Sequence, residues 1–187
     1  MAYKDEILTI TSDKIYYTVD GFIESQVMMD WEHSIMEASA NYVCENGGDI
    51  LEIGFGMGIA ADYIQANSIT SHTIVEIHPQ IIEKAKAWAV GKPNVTIVEG
   101  DWYTVKDSLS TYDGVFYDTW GEEDWSRFGS HIASLVKPEA KVTWWNNNDS
   151  ATTIHNISGV EYEVINVNPP ANCYFNSNKY YLPKKQF

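Results

Sequence analysis

From residue 49 onward, short apolar runs alternate with amphipathic stretches of helical period. DILEI (49–53) predicts a strand and residues 59–66 a helix. HTIVEI (72–77) predicts a strand, and 79–90 a helix entered through a proline in its first turn, where a missing amide costs nothing. NVTIVEG (94–100) predicts a strand, followed by a short helical stretch over 103–109. DGVFYD (113–118) reads as a strand, 124–135 as a helix and KVTWW (141–145) as a strand. Such alternation predicts an α/β fold, a mainly parallel sheet with helices on both faces. Upstream, SQVMMDWEHSIMEASANYVCE (25–45) predicts one amphipathic helix, capped by Ser25 and stopped by Asn46-Gly47-Gly48. Downstream, VEYEVINVN (160–168) and CYFNSNKYYLP (173–183, about an Asn-Ser-Asn turn) predict strands without intervening helices, hence an antiparallel C-terminal edge. No linker or repeat divides the chain. One domain is expected, with an N-terminal helix and lid (1–48), a βα core (49–145) and C-terminal antiparallel strands (146–187).

The 187 residues suffice for one complete core. Charge narrows the partners: 26 acidic against 12 basic residues give a formal net charge of -14, which argues against nucleic acid phosphates and suits a cationic substrate. Cys44 and Cys173 have no metal-ligand spacing, so two reduced thiols and no metal site are expected. The N-terminus lacks a basic region followed by an apolar run, and no stretch approaches the roughly 20 apolar residues of a membrane span. The expectation is a cytoplasmic protein without a membrane partner.

The candidate chemistry begins at LEIGFGMGIA (51–60), where a strand runs into three glycines and then a helix start. In a doubly wound sheet this first turn faces the ligand at the carboxyl ends of the strands. A P-loop needs Gly-Lys-Ser/Thr, and no lysine is near. A dinucleotide turn needs Gly-x-Gly-x-x-Gly, whereas here the glycines are Gly54, Gly56 and Gly58, with Ile59 at the dinucleotide position. The remaining pattern, Glu52 two residues before Gly-x-Gly-x-Gly, resembles the first motif of class I S-adenosylmethionine-dependent methyltransferases. Those glycines let backbone approach the methionyl part of the cofactor, and Glu52 is placed to orient its amino acid end. Glu76, about 20 residues on at the next strand end, suits a ribose diol, though dinucleotide sites share that feature. Asp101 and Trp102, within EGDW, end the following strand and suit the adenine amino group and ring face.

At the fourth strand end stands YDTW (117–120). Asp118 there faces the transferable methyl in this fold and is placed to bind or deprotonate a nucleophile, with Tyr117 and Trp120 as pocket walls. Met28, Glu32 and Met36 recur every four residues and share one face of the predicted helix. A carboxylate within a methionine stripe turns to solvent or meets a cation, because an unpaired buried charge is costly. Glu32 and Asp118 together can clamp a planar guanidinium through charge-assisted hydrogen bonds.

QVMMDWEHSIM, LEIGFGMGIAA, GDW, YDTW, LVKPEAKVT and NPPANC resemble, in order, the motifs of guanidinoacetate N-methyltransferase and its arginine-methylating relatives. The resemblance runs from about Gln26 to the C-terminus. It implies a Rossmann-like class I methyltransferase fold, S-adenosylmethionine as cofactor with S-adenosylhomocysteine as product, and a guanidino acceptor, whether a small molecule or an arginine-containing peptide. It further implies that Glu32 and Asp118 hold the acceptor, and that Met28, Met36, Met57, Gly58, Ile59, Ala60, Ala61, Glu76, Trp102 and Tyr103 line the cofactor. The family usually has an acidic residue at Tyr103, which shifts adenine recognition toward Asp101. Its loop for the acceptor's carboxylate corresponds to Asn148 and Asp149, and an anion there disfavours a carboxylate tail.

Two alternatives remain at this point. NPPA (168–171) is similar to the Asn-Pro-Pro-aromatic motif of nucleic acid base N-methyltransferases, but lies near the C-terminus, lacks the aromatic, and accompanies the wrong charge. A cofactor-binding protein with reduced catalysis, acting as a regulatory partner, is the other; intact carboxylates at 32 and 118 argue against it. His33, His78 and His131 lack ligand spacing and read as surface or packing residues.

Overall fold

The computed structural model describes residues 2–122, 124–152 and 154–187. The chain enters through a small antiparallel sheet of β1 (Thr9–Ile10), β2 (Lys14–Val19) and β3 (Ile23–Met29). Asp20 and Gly21 close the β2–β3 hairpin at φ 52° and 75°, the positive-φ pair whose twist matches that of its strands. The helix expected over 25–45 is therefore shortened. Residues 23–29 are strand, Asp30–Glu32 make one 3₁₀ turn, and α1 occupies His33–Val43. Ser25 caps no helix; it pairs with Tyr17 across the hairpin. The Asp-Gly turn offers 23–29 a partner strand, and cross-strand pairing overrides the weak helical preference of that segment.

The alternating region follows expectation closely. Strands β4 (Asp49–Ile53), β5 (Ser71–Glu76), β6 (Val95–Glu99), β7 (Tyr112–Tyr117) and β8 (Val136–Trp144) are separated by α2 (Ile59–Ala66), α3 (Pro79–Ala89), α4 (Trp102–Val105) and α5 (Ser126–His131). α4 and α5 are short, each tightening into a 3₁₀ turn, Lys106–Ser108 and Ile132–Ser134. β9 (Glu161–Asn166) and β10 (Lys179–Gln186) complete the edge. Residues 173–175, expected to be strand, are instead irregular backbone, and with the Asn-Ser-Asn segment they lead into β10.

The main sheet runs β6-β5-β4-β7-β8-β10-β9. β4 to β8 pair in parallel, while β10 is antiparallel to both β8 and β9. Successive residues of a strand face opposite sides of a sheet. On one side Ile50, Ile74 and Phe116 pack under α1, α2 and α3 through residues such as Met36, Ile64 and Ile81. On the other, Leu51, Val75, Val115 and Val142 pack under Trp102, Phe128 and Ile132. Strand order reverses between β4 and β7, because β5 and β6 lie to one side of β4 and β7 to the other. That reversal opens a crevice beyond the carboxyl ends of the strands.

Candidate active site

The hydrogen-bond ladder continues past the strand ends and sets five segments side by side. Gly100 N donates to Glu76 O (2.8 Å), Gly54 N to Val75 O (2.9 Å), Asp118 N to Ile53 O (2.8 Å) and Trp145 N to Tyr117 O (2.9 Å). Gly54 is required by close approach: at φ 94°, a Cβ there would overlap the carbonyl of Asp118. At Gly56 the positive φ of 52° favours glycine, and its bare Cα lets Met28 Sδ pack where a Cβ would lie 2.5 Å away.

Above these ends lies a cavity of about 1030 Å³. Met28, Glu32, Met36, Glu52, Gly54, Gly56, Ala60, Glu76, Asp101, Trp102 and Asp118 all line it. The structure thus brings together residues from β3, the 3₁₀ turn, α1 and four strand ends. Met28 reaches the cavity from a strand and Met36 from a helix, so the shared helix face expected for them does not exist. The other expected cofactor positions stand behind the wall. Gly58 caps α2, Ile59 and Ala61 are buried in core packing, and Met57 donates its amide to Met28 Sδ at 3.1 Å. Tyr103 packs under Lys106 and Arg127. Asn148 and Asp149 also lie off the lining, where their neighbour Asn147 takes the place. Tyr117, expected as a wall, points to the other sheet face, stacks on Phe128 (4.1 Å) and donates to Glu122 (3.0 Å). Strand alternation puts its neighbours Phe116 and Asp118 on the cavity instead.

Each carboxylate has a distinct setting. Glu76 is buried; its Oε2 accepts from Phe55 N (2.9 Å) and its Oε1 from Ile77 N and His78 N (2.8 Å each). Glu52 is wholly buried beneath the floor, 2.8 Å from His72 Nε2, with neither oxygen in an aligned hydrogen bond. It contributes to the cavity's floor while remaining closed to solvent. Asp101 caps α4 by accepting from Tyr103 N at 2.8 Å. Trp102 is packed against Tyr117 and Phe128 and donates to Glu122 at 2.9 Å, so it serves both core and cavity wall.

Glu32 accepts from Met29 N at 2.6 Å and from the Tyr174 hydroxyl, both through Oε1. Burial, compounded by the charge of Asp118, pushes Glu32 up to about 8. Burial, then Glu52 and Glu76, pushes Asp118 up to about 7. Carboxylates raised in this way lose their protons more readily when a cation stands beside them.

Residues the sequence reading did not single out complete the walls. Tyr174, Phe175 and Trp145 join Trp120 on the side of Glu32 and Asp118. Ala2, Tyr3 and Lys4 also line the cavity, with the Tyr3 ring 5.0 Å from that of His78. Tyr174 carries no motif of its own; only its place beside NPPANC marks it.

The residues present suit S-adenosylmethionine. Gly54 and Gly56 keep the turn bare of side chains where it lines the cavity, and so leave its backbone open to a ligand. Glu76 offers a diol acceptor held by three amides, and the lining holds six carboxylates against Lys4 and Arg127. That balance matches a ligand carrying a sulfonium and an ammonium. Among the described residues no cluster is fit to hold a metal ion, and no helix is long and apolar enough to cross a membrane.

The family model for guanidinoacetate N-methyltransferase matches residues 16–148. A protein arginine N-methyltransferase 2 of Kluyveromyces lactis is 33% identical over 216 residues, covering 96% of this chain and 53% of its own. That of Saccharomyces cerevisiae is 36% identical over 160 residues, covering 78% and 36%. The chain thus spans about half or less of the length of these relatives. Among solved structures, the N-methyltransferase NodS from Bradyrhizobium japonicum, in complex with S-adenosyl-L-homocysteine, superposes with TM-score 0.66 at 12% identity over 84% of this chain and 87% of that one. Spermidine synthase from Thermotoga maritima gives TM-score 0.65 at 11% identity over 96% and 72%. The fold is that of the S-adenosylmethionine-dependent methyltransferases. The chain belongs to the guanidinoacetate N-methyltransferase family.

Proposed function

We propose that this chain transfers a methyl group from S-adenosylmethionine to a guanidino nitrogen, with Glu32 and Asp118 clamping the acceptor. The observation that carries the reading is that Glu32 and Asp118 line one cavity beside Trp120, Trp145 and Tyr174, where burial and like charge hold both carboxylates above the usual range. A guanidinium is planar, permanently charged and without a free lone pair. Two carboxylates at its edges hold it flat and localise its charge. Asp118, at the switch point between β4 and β7, takes up the proton that the nitrogen loses on methylation. Glu32 stays as counter-ion. S-adenosylmethionine supplies an electrophilic methyl on a sulfonium. Met28, Gly54, Gly56, Glu76 and Trp102 would hold the cofactor, and Trp120 and Trp145 would flank the acceptor and exclude water. Alignment of the reacting groups supplies most of the acceleration.

The test is methyl transfer to a panel of guanidino compounds, from guanidinoacetate to arginine peptides. Asp118→Asn and Glu32→Gln preserve shape and remove charge. Turnover should fall at least about a hundredfold for Asp118→Asn, the scale of lost general acid–base help. Parent-level turnover in both variants, with cofactor affinity unchanged, would discard the clamp.

A further inference from the structure

Tyr174 lies in the irregular segment between β9 and β10, far in sequence from the other acceptor-side residues. It is nonetheless held on every side. Its amide donates to Gln26 Oε1 of β3 at 3.1 Å. Its ring meets those of Trp31 (6.2 Å), Trp120 (6.3 Å) and Trp145 (6.1 Å). The hydroxyl so fixed donates to Glu32 Oε1, the same oxygen that accepts from Met29 N. Both donors fall on one carboxylate oxygen, and among the described residues none falls on Oε2.

We propose that Tyr174 is the positioning residue of the acceptor site, its hydroxyl locking Glu32 so that Oε2 alone is presented to the incoming cation. The role rests on the guanidino reading above. Its consequence is directional. With two donors on Oε1, any proton that Glu32 carries must sit on Oε2, the oxygen that a guanidinium needs. Acceptor binding then expels that proton. The charged and titratable groups acting on Glu32 are Asp118 from the end of β7 and Tyr174 itself; Tyr180 from β10 feels the charge of both carboxylates, while its hydroxyl accepts from Asn146 N at 2.7 Å. Burial and the charge of Glu32 push Tyr174 well above its ordinary range, so the phenol keeps its proton and acts as donor throughout.

Tyr174→Phe keeps the ring and removes the donor. Carbon-13 carboxylate spectra of glutamate-labelled protein, with the Glu32 signal assigned by its loss in Glu32→Gln, should show Glu32 titrating at higher pH in Tyr174→Phe. Acceptor kcat/KM should fall about ten- to a hundredfold, as for a lost hydrogen bond to a charged group, with S-adenosylhomocysteine affinity within about twofold of the parent. Should Tyr174→Phe not fold, 3-fluorotyrosine placed at 174 strengthens the donor and should move the same titration down. An active parent whose Glu32 titration is unmoved by these changes overturns the role of Tyr174 alone. A parent that methylates no guanidino compound overturns the acceptor reading, and the role falls with it.

Discussion

The amide of Phe55 donates to the carboxylate of Glu76 at 2.9 Å, tying the glycine turn after β4 to the end of β5. Glu76 is thus part of the turn's scaffold, beside the proposed role of its carboxylate as a diol acceptor. Its replacement by alanine removes the ribose contacts and also orphans three amides, those of Phe55, Ile77 and His78. Calorimetric affinity for S-adenosylhomocysteine should drop at least about tenfold in Glu76→Ala, and the melting temperature should fall, since unpaired buried donors are costly. S-adenosylmethionine should raise the melting temperature of the parent where NAD and ATP do not. Undiminished affinity in the variant would remove Glu76 from the cofactor site.

The raised carboxylates give stability a definite slope. In the unfolded chain Glu32 and Asp118 ionise in the ordinary range, near 4; in the folded protein they ionise near 8 and 7. Between those limits the native state binds more protons, so their contribution is complete below about pH 4 and is lost as pH rises through 7 to 8. Asp118→Asn cannot ionise and escapes the loss. Against the parent, that variant should be relatively more stable at pH 8.5 than at pH 5, in melts without acceptor. A parent-minus-variant difference that does not change over this range would mean that Asp118 ionises normally in the fold.

Much of the sheet was legible because its central parallel strands β4, β5 and β7 are largely buried on both faces and read as apolar runs between turn signals. Glu76, Asp101 and Asp118 were legible because strand ends are fixed by that same pattern. Two things were not. The helical spacing of Met28, Glu32 and Met36 concealed a hairpin, although Asp20-Gly21 between apolar flanks is itself a hairpin signal. Spacing correctly grouped those three residues at one site and misassigned the element that groups them. Tyr117 and Tyr174 show the second limit. A one-residue step along β7 exchanges core for cavity, and a loop residue such as Tyr174 reaches the site only through long-range packing that no local pattern carries.

The acceptor's tail is the remaining question, and the structure moves the argument from Asp149 to Asn147. Asp149 is exposed and off the cavity, so its charge is screened by solvent. Asn147 is the loop residue on the wall. The lining cations are Lys4 and Arg127; Arg127 is engaged by Glu122 (3.5 Å) and Asp124 (3.8 Å), and Lys4 follows Tyr3, whose ring packs on His78. Neither belongs to the loop beside the acceptor carboxylates. A substrate carboxylate near Asn147 would meet net negative potential with no matching cation there. Guanidines with neutral or cationic tails, including peptide arginine, should therefore show higher kcat/KM than guanidinoacetate. Asn147→Lys should narrow the gap by about tenfold, the effect of one surface-range charge pair near 4 Å, while Asp149→Thr should leave it unchanged. Guanidinoacetate preferred over every neutral-tail analogue, with Asn147→Lys without effect, would show that backbone amides hold the carboxylate and that charge does not choose the tail.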